Sequence, residues 1–218
     1  MSETEIASIQ DVLKECPTGR GALVALSKNG FSIKNEALGT IACAVNPEKK
    51  TITLNTASTK EAGALSLVHA ASVLRQRNSG SVLVAENESS KEEVHALRKA
   101  DALSAQLVFA EEMQQKNPKI LETFIKNGNQ PMYDAFKLTM AEKNNVNAAR
   151  SAAVDCYLSA ALPDKKLWPS TISKICKGFD NQSYYVAPDD RAKTVSDTLF
   201  NEPAFNAVFA AKMKQAGR

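Results

Sequence analysis

The 218-residue sequence predicts an α+β fold dominated by helix: a small three-stranded antiparallel sheet beside a buried central helix, then a helical second half. Three observations carry this. Residues 58–77 open with Ser58-Thr59-Lys60-Glu61, run through AGALSLVHAASVL and close on Arg75-Gln76-Arg77. Between Ala62 and Leu74 no side chain is formally charged, and a helix apolar nearly all round is one that a domain packs around. Short alternating or apolar segments bounded by turn formers gather only at residues 31–55, which places the sheet there. From Pro118 onward the chain reads as helices separated by Asn-Gly and Pro joints.

In chain order, residues 3–15 put Ile6, Ile9 and Leu13 at helical spacing, and Cys16-Pro17-Thr18-Gly19 reads as a break. A second short helix over 20–28 presents Leu23 and Leu26 and stops at Asn29-Gly30. Phe31-Ser32-Ile33-Lys34, the GTIACAV run at 39–45 and TITLN at 51–55 are three strands, the last two joined by the turn formers of 46–50 as a hairpin. Taken in sequence they predict an antiparallel meander. Ser58 and Glu61 are spaced as a capping box for the central helix. After a break at 77–80 and a short extended stretch at 81–85, Ser90 and Glu93 form a second box. That box opens a helix over 91–116 with Val94, Leu97, Ala100/Asp101, Ala105, Val108 and Met113 near one stripe. Further helices are expected at 118–126, 131–143, 146–161, 169–176 and 201–215, with a polar, aromatic loop at 178–190. The natural partition is an α+β part over 1–117 and a helical extension or subdomain over 118–218, with one compact unit as the alternative.

Composition sets the broad class. With 44% hydrophobic and 23% charged residues the chain is an ordinary globular one. A net charge of +3 from scattered basic residues lacks the clustered cations that neutralise phosphates, so no nucleic-acid partner is expected. No apolar run reaches the ~18 residues that span a bilayer, so no membrane partner is expected either. MSETEIASIQDVLKE lacks the basic start and apolar core of an export signal. Cys16, Cys43, Cys156 and Cys176 form no CxxC pair and read as reduced, buried thiols of a cytoplasmic protein.

The central helix holds the one chemical clue. An HExxH zinc helix sets two imidazoles four residues apart on one face, and the Glu beside the first takes a proton from metal-bound water. Leu67-Val68-His69, with Gln76 seven residues beyond His69, follow a strand at 51–55. Ala100-Asp101-Ala102, then Gln106 and Phe109, lie on the next long helix. Over roughly residues 18–115 this arrangement resembles a family of bacterial zincin-class metallopeptidases of the HExxH type. Its signatures are Leu-Val/Ala-His-Glu continuing to Arg-His-x-x-Gln, and then Glu-Ala-Asp-Ala. The resemblance implies a zinc-peptidase ancestry, and the departures imply a lost site. The catalytic Glu position is Ala70, the Arg position is Ser72, the second His position is Val73, and the third-ligand Glu position is Lys99. A lone imidazole beside an ammonium does not hold zinc, which takes three or four protein ligands. The expectation is therefore a non-catalytic, zincin-like protein with a binding or structural role. His69, Ala70, Val73, Lys99, Asp101 and Gln76 would be the remnant of its site, with Ala70, Val73 and Lys99 filling the old cleft and no catalytic residue or cofactor.

Blander readings stand beside it. His69 on an apolar helix reads as a neutral core histidine with hydrogen-bonded ring nitrogens. His95, among Glu92, Glu93 and Arg98, reads as a surface residue. Asp101 could orient the His69 ring or pair with Lys99 or Arg98. Two other functions stay open: an active zinc hydrolase with non-standard ligands (His69 and Asp101 with His95 or a glutamate from 86–93), and a helical protein-interaction module unrelated to zincins. The serines lack a Gly-x-Ser-x-Gly elbow and no phosphate-binding glycine loop is present. In the C-terminal half Trp168, Tyr184 and Tyr185, in or beside a polar loop, could anchor a protein partner and are left open, whereas Phe205 and Phe209 read as core of a last helix.

Overall fold

A computed structural model describes residues 3–78, 88–161, 175–177 and 183–186 of the chain. Most of these residues are helical, and they include a small three-stranded sheet, so the fold is α+β and mostly helical. The elements are α1 (Glu3–Lys14), α2 (Pro17–Lys28), β1 (Ser32–Glu36), β2 (Cys43–Asn46), β3 (Thr51–Asn55), α3 (Lys60–Asn78) and α4 (Glu88–Glu112). They continue with α5 (Lys119–Phe124), α6 (Gln130–Lys143), α7 (Val146–Ala161), β4 (Ile175–Lys177) and β5 (Ser183–Val186). Among the described residues no helix is long and apolar enough to cross a membrane. The chain divides into two compact units, Met1–Asn78 with Ala102–Gln130, and Ser79–Asp101 with Pro131–Arg218. This division falls at the end of α3, within α4 and at the start of α6.

The first unit is assembled around α3, which packs against α1, α2, α5, β2 and β3. Ala64, Leu65, Leu67, Val68, Ala70, Ala71 and Leu74 are all buried, so the uncharged run of the sequence is a run of core positions. Each large side chain among them contributes about 1.5–3 kcal/mol on burial. The helix is capped by Thr59, not Ser58: the Ala62 amide donates to Thr59 Oγ1 at 3.2 Å. Moving the cap by one residue takes Glu61 out of the box position, and its carboxylate instead accepts from Asn117 Nδ2 at 3.4 Å. A small residue is needed where α1 crosses: a Cβ at Gly63 would lie 2.7 Å from Ile9 Cδ1.

The segment Cys16-Pro17-Thr18-Gly19 starts α2 instead of separating two helices. Cys16 is the N-cap in extended backbone and Pro17 takes the first helical position, where its missing N–H costs nothing. Gly19 then approaches the preceding helix end so closely that a Cβ there would meet the Leu13 carbonyl oxygen at 2.1 Å.

The sheet is mixed, in the order β1-β3-β2, and corrects the expected antiparallel meander. β2 and β3 do form the hairpin, with Val45 opposite Ile52, but β1 runs parallel to β3, with Ile33 beside Ile52. Burial explains the order. In β3, Thr51, Ile52, Leu54 and Asn55 are all buried, whereas β1 and β2 alternate between exposed and half-buried positions. The strand that buries both faces takes the centre, and a meander would have put β2 there. Residues 37–42 carry the chain from β1 past β3 to the far edge, and Asn55 holds that crossing. Its Nδ2 donates to the Gly39 and Ile41 carbonyls at 2.8 and 2.9 Å, and its Oδ1 accepts from the Ala57 amide at 3.1 Å.

In the second unit α7 buries Ala148, Ala149, Ala152, Ala153, Val154 and Leu158, and α6 buries Met132 and Phe136. The joint between them is built from two asparagines. Asn144 takes φ +48° after the end of α6, and Asn145 Oδ1 caps α7 by accepting from the Ala148 amide at 3.0 Å. β4 and β5 pair antiparallel, with Ile175 opposite Val186 and Cys176 opposite Tyr185. The helix expected up to Cys176 and the loop expected over 178–190 are corrected at these residues. Ile175 and Tyr184-Tyr185-Val186 are β-branched and aromatic types that favour a pleated pair. The helix expected at 201–215 and the extended stretch at 81–85 lie outside the described residues.

Candidate functional site

The residues singled out on the central helix fall in the first unit. His69 is half-buried on α3, less enclosed than a core histidine. One residue on, Ala70 is 2% exposed, and Leu67, Val68 and Ala71 are fully buried. Val73, one turn beyond His69, is half-buried, and Gln76 is buried at 6% exposure. At the positions where an HExxH helix places two imidazoles and a carboxylate, α3 therefore has one imidazole and two hydrocarbon side chains. A zinc ion needs three or four donors, and these residues do not fit one. Among the described residues no three of His, Cys, Asp and Glu are grouped so as to hold a metal ion.

Lys99 and Asp101 belong to the second unit. Lys99 is exposed, and its Nζ sits 5.8 Å from the centroid of the Tyr157 ring on α7. Such a contact at an exposed site contributes about 0.5–1 kcal/mol, and the Lys99 residue lies at the surface, not in an enclosed space. Asp101 is 1% exposed between the buried Ala100 and Ala102. His95 is exposed, as its charged neighbours suggested. Trp168 lies outside the described residues, and Tyr184 and Tyr185 are placed only as strand residues of β5.

Sequence reasoning passed over two polar arrangements of the first unit. Gln106, on the part of α4 that belongs to this unit, donates from Nε2 to the Leu65 carbonyl of α3 at 2.8 Å. Its signal was a polar residue between the buried Ala105 and Leu107. The second arrangement joins Cys16, Thr18 and Glu112 at the start of α2. Glu112 accepts from the Thr18 amide through Oε2 and from the Thr18 hydroxyl through Oε1, both at 2.9 Å. A carboxylate here satisfies an unpaired amide of the first turn and meets the positive end of the helix dipole. Cys16 Sγ accepts from the Gly19 amide at 3.4 Å. Burial, and then its hydrogen bond to Glu112, push the Cys16 thiol up to about 12. Held protonated, Cys16 is a cap and not a nucleophile, since the thiolate is the reactive form. Burial likewise pushes the Cys43 thiol up to about 11. Nothing in the sequence separation of 16 and 112 announced this contact.

Comparison of the chain with protein-family models, with curated proteins and with solved structures gives no match.

Proposed function

We propose that this chain is a non-catalytic, zincin-like protein: a scaffold of metallopeptidase ancestry whose site has been lost and whose present role is binding or structural, toward a protein partner. The observation that carries this reading is the enclosure of Ala70 in α3, at 2% exposure, with the nearby Val68 and Ala71 fully buried. At the position where a peptidase needs a carboxylate in contact with water, this chain has a methyl group in the core. Val73 supports the same reading, because a valine one turn after His69 offers no lone pair to a metal. Burial along α3 would hold such a scaffold together without an ion, as hydrophobic packing needs no ligand set. The implied location is the cytoplasm.

The test is peptidase activity on an unfolded protein substrate with the full chain, with and without a zinc chelator, beside His69→Ala. The proposal expects no cleavage above background in any sample. Chelator-sensitive cleavage that disappears in His69→Ala would overturn it and favour a hydrolase with ligands of another kind.

A further inference from the structure

Asn-Gly occurs twice in the chain, at Asn29-Gly30 and Asn127-Gly128, and the two are held very differently. Asn29 closes α2. Its Nδ2 donates to the Ala25 carbonyl at 2.7 Å, and the Gly30 amide donates to the Ser27 carbonyl at 2.9 Å. Asn127 and Gly128 sit in the turn Ile125–Asn129 between α5 and α6, where both leave helical geometry, with φ −77° and ψ 15° at Asn127 and φ 84° at Gly128. Both are exposed, and beyond the adjoining backbone nothing lies within 4 Å of where a Cβ on Gly128 would be. Among the described residues no hydrogen bond holds the Asn127 side chain; the turn is tied instead by the next residue, Asn129, whose Nδ2 donates to the Phe124 carbonyl at 3.0 Å.

We infer that Asn127 is a site of spontaneous deamidation in the folded protein, and that Asn29 is protected by its fold. In this reaction the Gly128 backbone nitrogen loses its proton and attacks Cγ of Asn127. The new N–Cγ bond forms as the Cγ–Nδ2 bond breaks, and ammonia leaves from a five-membered succinimide. Water then opens the ring at either carbonyl, leaving aspartate or isoaspartate at position 127. No redox change is involved, and water is the one co-reactant. Glycine favours the attack because it places no side chain beside the nucleophilic nitrogen. What remains is rotation about the Asn127 Cα–C bond, which open space and a non-helical backbone permit. At Asn29 the same step requires release of both the leaving amide and the attacking nitrogen from hydrogen bonds. Each of these must open locally before reaction. The product adds a negative charge to the turn, and the isoaspartyl form adds one methylene to its backbone.

The test incubates the full chain at mildly alkaline pH and body temperature, then maps peptides by mass and detects isoaspartate by enzymatic carboxyl methylation. Asn127 should convert at least about tenfold faster than Asn29 in the native chain, the factor set by opening ordinary hydrogen bonds. The two sites should converge in urea-unfolded chain. Asn127→Gln should remove the fast phase, and Asn29→Gln should leave it. Conversion of Asn29 at the rate of Asn127 in the native chain, or protection of Asn127 to the level of Asn29, would overturn the inference.

Discussion

Replacing Asn55 by alanine tests the argument for the mixed sheet. The side chain is 5% exposed and makes three good hydrogen bonds, two donated to the Gly39 and Ile41 carbonyls and one accepted from the Ala57 amide. Each bond is worth about 1 kcal/mol net, and both carbonyls belong to exposed residues that water can reach after truncation. The expected loss is therefore about 2–3 kcal/mol. At about 2–4 °C per kcal/mol for a chain of this size, Tm falls by roughly 5–10 °C. Asn55→Asp should be worse at neutral pH, since a carboxylate would then face the two carbonyl oxygens. Those oxygens disfavour its charged form and raise the carboxyl pKa above its unfolded value. Protonation is therefore coupled to folding, and the aspartate variant should recover stability relative to alanine as pH falls. Thermal melts followed by circular dichroism, with urea titrations at several pH values, measure all three proteins. An alanine variant within about 0.5 kcal/mol of the parent would refute the claim that Asn55 holds the crossing strand connection.

Other consequences are as direct. Gly19→Ala should cost about 3 kcal/mol or more, because the new methyl meets the Leu13 backbone and not a movable side chain; Gly39→Ala, with φ +60° but open space, should cost only about 1 kcal/mol in the same melts. Gly63→Ala should destabilise, and Ile9→Val should relieve part of the loss by removing the Cδ1 atom 2.7 Å from the new Cβ, so a double-mutant cycle should show favourable coupling. In the folded protein at neutral pH, Cys16 should label far more slowly with a thiol reagent than in denaturant, as its thiol is held up to about 12. The folded state keeps the Cys16 proton that the unfolded state releases above the ordinary thiol value of 9.0, so its contribution weakens stability as pH rises from there toward 12; Cys16→Ser should flatten that alkaline decline.

How far the sequence could be read depended on how local each signal was. The uncharged stretch around Leu67 and Val68 marked the organising helix, and the helix expected at 146–161 is α7, Val146–Ala161. Pairing across distance was harder. TITLN and the GTIACAV run at 39–45 both look like strands, but which of them takes the centre depends on the total burial of each, and that is set by what α3 covers. The Cys16-Pro17 step reads equally as a break or as an N-cap with proline at the first helical position. Its resolution rests on Glu112, which meets Thr18 from a distant part of the chain. At the candidate site the residue identities were plain from the start: one histidine at 69, with alanine at 70 and valine at 73. What sequence could not supply was their setting: Ala70 in the core, His69 only half-buried, and Lys99 at the surface over Tyr157.

The most direct test of the lost-site reading is the zinc content of the full chain purified without chelator, by elemental analysis, beside His69→Ala. A helix with one imidazole and hydrocarbon at positions 70 and 73 should carry less than about a tenth of an equivalent, unchanged by the substitution. Close to one equivalent of zinc, lost with His69, would contradict the account and show that this helix still belongs to a metal centre.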